Sequence, residues 1–84
     1  MADSFQIDIA TPEKLLLQQT AQSAQVPGKE GYLGILPGHA ALLSELGEGT
    51  LSVTADGQTR SFTVTGGYVE VRDNHVRVLA DSAE

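Results

Sequence analysis

A chain of 84 residues, 40% hydrophobic and with a formal net charge of −6, has material for one compact core with a stability of about 4–13 kcal/mol. Its five basic residues, Lys14, Lys29, Arg60, Arg72 and Arg77, are scattered. That argues against nucleic acid or anionic lipid as a direct partner, since both require clustered positive charge.

Cysteine is absent, which excludes disulfides, a thiolate metal site and a cysteine nucleophile. No apolar run approaches the roughly 20 residues of a membrane-spanning helix. The start, Met1-Ala2-Asp3-Ser4, is polar and acidic, whereas a secretory leader is basic and then apolar.

In chain order, Phe5-Gln6-Ile7-Asp8-Ile9 alternates apolar and polar residues, the pattern of a half-buried strand. Thr11-Pro12-Glu13 then resembles a helix start, and Lys14-Leu15-Leu16-Leu17-Gln18-Gln19 contains good helix formers. On propensity alone that segment is open between helix and strand. Residues 20–26 are weakly apolar and end at Val26-Pro27-Gly28, a turn signal. Residues 50–55 alternate with Leu51, Val53 and Ala55 on one face, and Asp56-Gly57 suits a tight hairpin. Ser61-Phe62-Thr63-Val64-Thr65 alternates back, and Gly66-Gly67 permits a bulge or sharp bend. Tyr68-Val69-Glu70-Val71 alternates again, Asp73-Asn74 turns, and Val76-Arg77-Val78-Leu79 makes a last strand. Short strands separated by frequent turn signals predict an antiparallel sandwich or barrel.

No catalytic constellation emerges from these residues. The two histidines, His39 and His75, lack the helical spacing of a zinc pair, and His75, just after a turn, reads as an exposed turn residue. No serine has a nucleophile-elbow context, and no carboxylate pair is positioned for acid–base work. The stretch from Gly28 to Gly34 lacks the Gly-Lys-Ser/Thr ending of a phosphate loop. What stands out is Gly31-Tyr32-Leu33-Gly34-Ile35-Leu36-Pro37-Gly38-His39, where glycines and a proline constrain the backbone and apolar side chains decorate it. It reads either as an ordinary buried strand with a turn or as a shaped loop for a protein partner.

That segment, extended to Glu30-Gly31-Tyr32-Leu33-Gly34-Ile35-Leu36-Pro37-Gly38-His39-Ala40 with Leu42-Leu43, resembles the signature of the ε subunit of F-type ATP synthases. The resemblance spans the chain. Residues 5–9 are similar to the family's first strand, and Gly47-Glu48-Gly49 occupies its usual turn. Gly66-Gly67-Tyr68-Val69-Glu70-Val71 resembles its Gly-Gly-x-x-Glu-Val, and residues 76–81 resemble the end of its sandwich.

The resemblance implies an all-β fold, a flattened antiparallel β-sandwich or barrel of about ten short strands, with residues 15–17 and 40–46 strand-like. It implies a single domain over residues 1–84, without the C-terminal helical pair with which full-length relatives continue. It implies a non-catalytic rotor subunit linking γ to the c-ring and coupling ion-driven rotation to ATP synthesis. By the same resemblance His39, Thr11 and Ser44 face γ, and Glu30, Gly31 and Tyr32 face the c-ring. Gly34, Pro37, Gly38, Gly66 and Gly67 shape turns. Tyr32 stands where relatives often carry an acidic or amide residue, and Ala41 replaces a frequent proline. No metal or cofactor is expected, and no ATP binding. The implied location is peripheral, on the cytoplasmic face of a bacterial plasma membrane or its organellar equivalent. The alternative is a free-standing β-sandwich module for a peptide or sugar, although aromatic residues at 5% and no tryptophan disfavour sugars. A small hydrolase would need a nucleophile–base–orienter set that these residues do not supply.

Overall fold

The computed structural model describes residues 3–84 and contains eight strands. The start read for a leader includes Met1 and Ala2, which lie outside those residues. The strands are β1 (Phe5–Ala10), β2 (Leu15–Ala21), β3 (Ser23–Gly28), β4 (Gly31–Ile35), β5 (Leu42–Glu45), β6 (Glu48–Ala55), β7 (Gln58–Arg72) and β8 (His75–Ala83). The 15-residue β7 organises the rest. Its first half pairs with β6 and its second half with β5, so that residues 42–55 run back along one edge of it. β8 follows its other edge.

This long hairpin bends where Leu46 N–H donates to the Gly67 carbonyl at 2.9 Å and Gly66 N–H to the Gly47 carbonyl at 3.2 Å. The bend separates two layers. One contains β2, β1, β8, the second half of β7, and β5; the other contains the first half of β7, β6, β3 and β4. The sheet folds over on itself as a sandwich and does not close into a barrel. Alternation then does the sorting. Ile7 and Ile9, Leu51 and Val53, Phe62 and Val64, Val69 and Val71, and Val76 and Val78 all enter one buried cluster.

The eight strands approximately match the expected number, with Gly66 and Gly67 bending β7 without ending it. Other expectations are corrected. The sheet is not wholly antiparallel, since β1 runs parallel to β8, Gln6 opposite His75 through Ala10 opposite Leu79; nothing in local alternation encodes such a long-range pairing. Val26-Pro27-Gly28 is not a turn. Pro27 lies buried inside β3, and the chain reverses at Lys29 and Glu30. Gly34 likewise lies within β4, opposite Gln25.

The segment open between helix and strand is β2. A bulge opposite Ile9 and Ala10 sets Leu17 against Ile9 in the core and Leu15 against Ala10 on the outer face. The hairpins at Asp56-Gly57 and Asp73-Asn74 form as expected, with φ of 53°, 78°, 52° and 61°.

Gly67 has φ 111°, and a Cβ there would run into the Leu79 carbonyl oxygen and come within 2.8 Å of Ala80 Cα. Both neighbours are backbone and cannot swing aside. Gly67→Ala is therefore expected to destabilise the chain by about 2–4 kcal/mol, measured as a lower midpoint of urea unfolding.

Candidate functional site

The outer face of the first layer departs from a solvated surface. In β7 and β8 the outward positions include Tyr68 and Leu79, which are cross-strand partners. Leu79 lies opposite Ala10, and Ala10 opposite Leu15. An apolar row thus crosses four strands. Tyr68, Leu79 and Leu15 are each more than half exposed, and Leu43 on β5 is 71% exposed. Leu43, Tyr68 and Leu79 line a shallow depression with Glu70 and Arg77. Contiguous exposed apolar side chains rimmed by charge are typical of protein, membrane or ligand contact sites.

The next row of the same face reads Leu43, Glu70, Arg77, Asp8 and Gln18 across the register. His75, diagonal to Asp8, donates from Nε2 to Asp8 Oδ2 at 2.8 Å, since an ionised carboxylate can only accept. Gln6 Nε2 donates to Asp8 Oδ1 at 3.3 Å. Burial pushes the Asp8 carboxyl up. The hydrogen bonds from His75, Gln6 and Gln18, with the charge of His75, outweigh that effect and hold it below the ordinary carboxylate value. His75 is thus a half-buried partner in the sheet, correcting its reading as an exposed turn residue.

Next to Glu45, the cross-strand partner of Tyr68, the β3–β4 hairpin presents Lys29 and Glu30 at its tip. Lys29 N–H donates to the Glu45 carbonyl at 2.9 Å, and its ammonium pairs with Glu45 Oε2 at 3.1 Å. Between β4 and β5, Leu36-Pro37-Gly38-His39 forms a type II turn, closed by His39 N–H to the Leu36 carbonyl at 3.1 Å, with Gly38 at φ 82°. Asn74 holds this turn: its Oδ1 accepts from Gly38 N–H at 2.9 Å, and its Nδ2 donates to the Ser4 carbonyl.

The family model for the ATP synthase delta/epsilon chain β-sandwich domain matches residues 4–84. The chain belongs to this family. It is 50% identical over 84 residues to the ATP synthase epsilon chain of Solibacter usitatus, covering all of this chain and 63% of that protein. Against the epsilon chain of Koribacter versatilis the identity is 48%, over all of this chain and 59% of that one. The chain therefore spans about three-fifths of the length of these relatives. Its fold superimposes on a chain of the Euglena gracilis mitochondrial ATP synthase, in a structure of OSCP, F1 and c-ring, with a TM-score of 0.92 at 22% identity. That match covers all of this chain and 54% of the other. A second match, in the central stalk and c-ring of the Tetrahymena thermophila enzyme, has a TM-score of 0.80 at 23% identity, over 94% of this chain and 64% of that chain.

Within this delta/epsilon-type sandwich, the three residues expected to face γ occupy different settings. Thr11 closes the turn after β1, its Oγ1 accepting from Lys14 N–H at 3.3 Å, and lies beside Pro12, Tyr68 and Leu79. Ser44 is on the inward side of β5, opposite Val69, with its hydroxyl donating to the Glu45 carbonyl. His39 is half-buried in the type II turn, with Nδ1 2.7 Å from the Ala40 carbonyl. Among the described residues no hydrogen bond joins the three.

Sequence reasoning missed Leu43, Tyr68 and Leu79 as a surface. The signal was strand parity: Tyr68 shares its face with Glu70, and Leu79 with Arg77, so both point to solvent.

A carboxyl held low in the folded state contributes stability above its unfolded pKa and loses it as pH falls through the folded value. Asp8→Asn is expected to cost about 1–2 kcal/mol near neutrality. That gap to the parent should shrink as pH drops below the ordinary carboxylate value of 3.8, as read from paired thermal melts across about pH 2–7, a range set by ordinary carboxylate titration.

Proposed function

We propose that the chain is a non-catalytic central-stalk subunit of an F1Fo ATP synthase. It would bind γ through the outer face of its first layer and meet the c-ring through the β3–β4 hairpin. The observation that carries this reading is the exposed row Tyr68, Leu79 and Leu15, with Leu43 beside it, on a sandwich of the delta/epsilon family. An apolar face flanked by Glu70, Arg77 and Asp8 suits a fixed protein partner: burial of the leucines and tyrosine supplies affinity, and the charges set orientation.

Thr11 borders this face and belongs to the γ contact. Ser44 and His39 contribute at its edge, through β5 and through the turn that leads into it. Glu30, Gly31 and Tyr32 form the ring-facing element. The chain's excess of acidic residues complements polar or basic loops there. In this role the chain works at the cytoplasmic face of a bacterial plasma membrane, held through the complex and not by lipid.

Torque transmission needs an interface that does not yield. Continuous backbone pairing from β2 through β4 supplies a stiff body, and the loops are tied back to the β7–β8 turn at Asn74 and to β5 at Glu45.

The test is a titration with purified γ subunit. The parent chain should bind, and Leu79→Asp and Leu43→Asp should each weaken binding about 10- to 100-fold, the range for an apolar anchor replaced by charge. If γ, alone or with c-ring, fails to bind the parent, the rotor assignment is wrong and a free-standing binding module takes its place.

A further inference from the structure

The sequence of β3 contains a fault that Tyr32 repairs. β3 and β6 pair as Ser23 with Thr54, Ala24 with Val53 and Gln25 with Ser52. The same register carried onward would set Pro27 opposite Thr50. Proline has no N–H to give, and the Pro27 carbonyl is taken by Gly47 N–H at 2.8 Å. The ladder therefore stops at Gln25. Thr50 lies at a position whose N–H points away from β7, because the hydrogen-bonded pairs of β6 and β7 alternate from Ala55 with Gln58. Its amide loses its strand partner. Tyr32, opposite Pro27 on β4, reaches across and accepts from Thr50 N–H with its hydroxyl at 3.1 Å.

The path of the tyrosine passes directly over Gly49. A Cβ at Gly49 would stand 2.5 Å from Tyr32 Oη and 2.9 Å from Pro27 Cβ. Three residue types thus fit one another: a proline that breaks the ladder, a glycine that clears the way, and a tyrosine that closes the gap. The β3 arm of the hairpin is already fixed to the same segment, by Lys29 to Glu45 and by a bridge between Gly28 and Leu46.

We propose that Tyr32 is a positioning residue, a latch that fixes the direction of the Lys29–Glu30 tip for its partner. On this view Glu30 supplies the direct contact. The proposal rests on the assignment of this hairpin to the c-ring, and it refines that assignment by giving Tyr32 an intramolecular task.

Tyr32→Phe keeps the ring over Gly49 and Pro27 and removes only the hydroxyl. In the full-length protein, amide exchange followed by NMR should quicken about five- to tenfold at Thr50, the effect of losing one ordinary hydrogen bond. Dissociation from purified c-ring should accelerate by a similar factor while γ affinity stays unchanged. Glu30→Ala should weaken ring binding without altering exchange at Thr50. Unchanged exchange at Thr50 in the phenylalanine variant would overturn the latch. Faster exchange with unaltered ring dissociation would overturn its role in docking. Should the parent itself fail to bind the ring, the assignment of the hairpin to the ring falls and the docking role with it, while exchange at Thr50 still decides whether the latch exists.

Discussion

The backbone at Gly66 and Gly67 decides the architecture. A straight β7 of 15 residues would hold β5, β6 and β8 in one plane and leave one face of every strand in water. Positive φ at both glycines, 66° and 111°, turns the strand sharply while its ladder continues on either side. The bend also shifts the alternation by one residue, from Phe62 and Val64 to Val69 and Val71, so that both pairs enter the same core. The core exists because the strand bends without breaking, and only glycine can follow that path so close to Leu79 and Ala80.

The two outer faces that result differ in chemistry. The second layer shows Thr50 across from Thr63, Ser52 from Ser61 and Thr54 from Thr59, the last pair hydrogen-bonded at 2.9 Å. Short hydroxyl side chains cover a sheet without offering a partner much apolar area. On the first layer, Tyr68, Leu79, Leu15 and Leu43 occupy the corresponding outward positions. The asymmetry gives the domain one apolar outer face and one covered by hydroxyls, and the Asp8–His75 pair lies on the apolar side.

What the sequence made legible was local. Alternation located most strands and inward residues, and Asp56-Gly57 and Asp73-Asn74 named their hairpins because two-residue turns demand positive φ. Family resemblance decided β2, where leucines and glutamines serve helix and strand equally well. The failures share a physical cause, dependence on partners distant in the chain. His75 is half-buried because β8 lies parallel to β1, 67 residues away at Asp8. Pro27 reads as a turn residue until β4 and the segment at Gly47 surround it. Asn74 looks like any turn asparagine, yet it ties Ser4 and Gly38 to the β7–β8 hairpin.

Those distant ties also explain how loops could carry load. Connecting segments ordinarily move more than the strands they join, and in the proposed rotor role a loop that yielded under torque would store rotation as its own distortion. Here the Leu36–His39 turn is bound through Gly38 to Asn74, itself fixed by the Ser4 carbonyl and by Gln6 N–H to its own carbonyl. The hairpin is bound at its tip through Glu45 and from β4 through Thr50. Each bond is worth only about 1 kcal/mol in stability. Mechanically, however, each removes a direction in which the loop could swing, and the hairpin is tied at two points, Glu45 and Thr50, to the one segment beside it. A glycine-rich sequence that looks flexible residue by residue is thereby held in one conformation by bonds its own composition does not reveal.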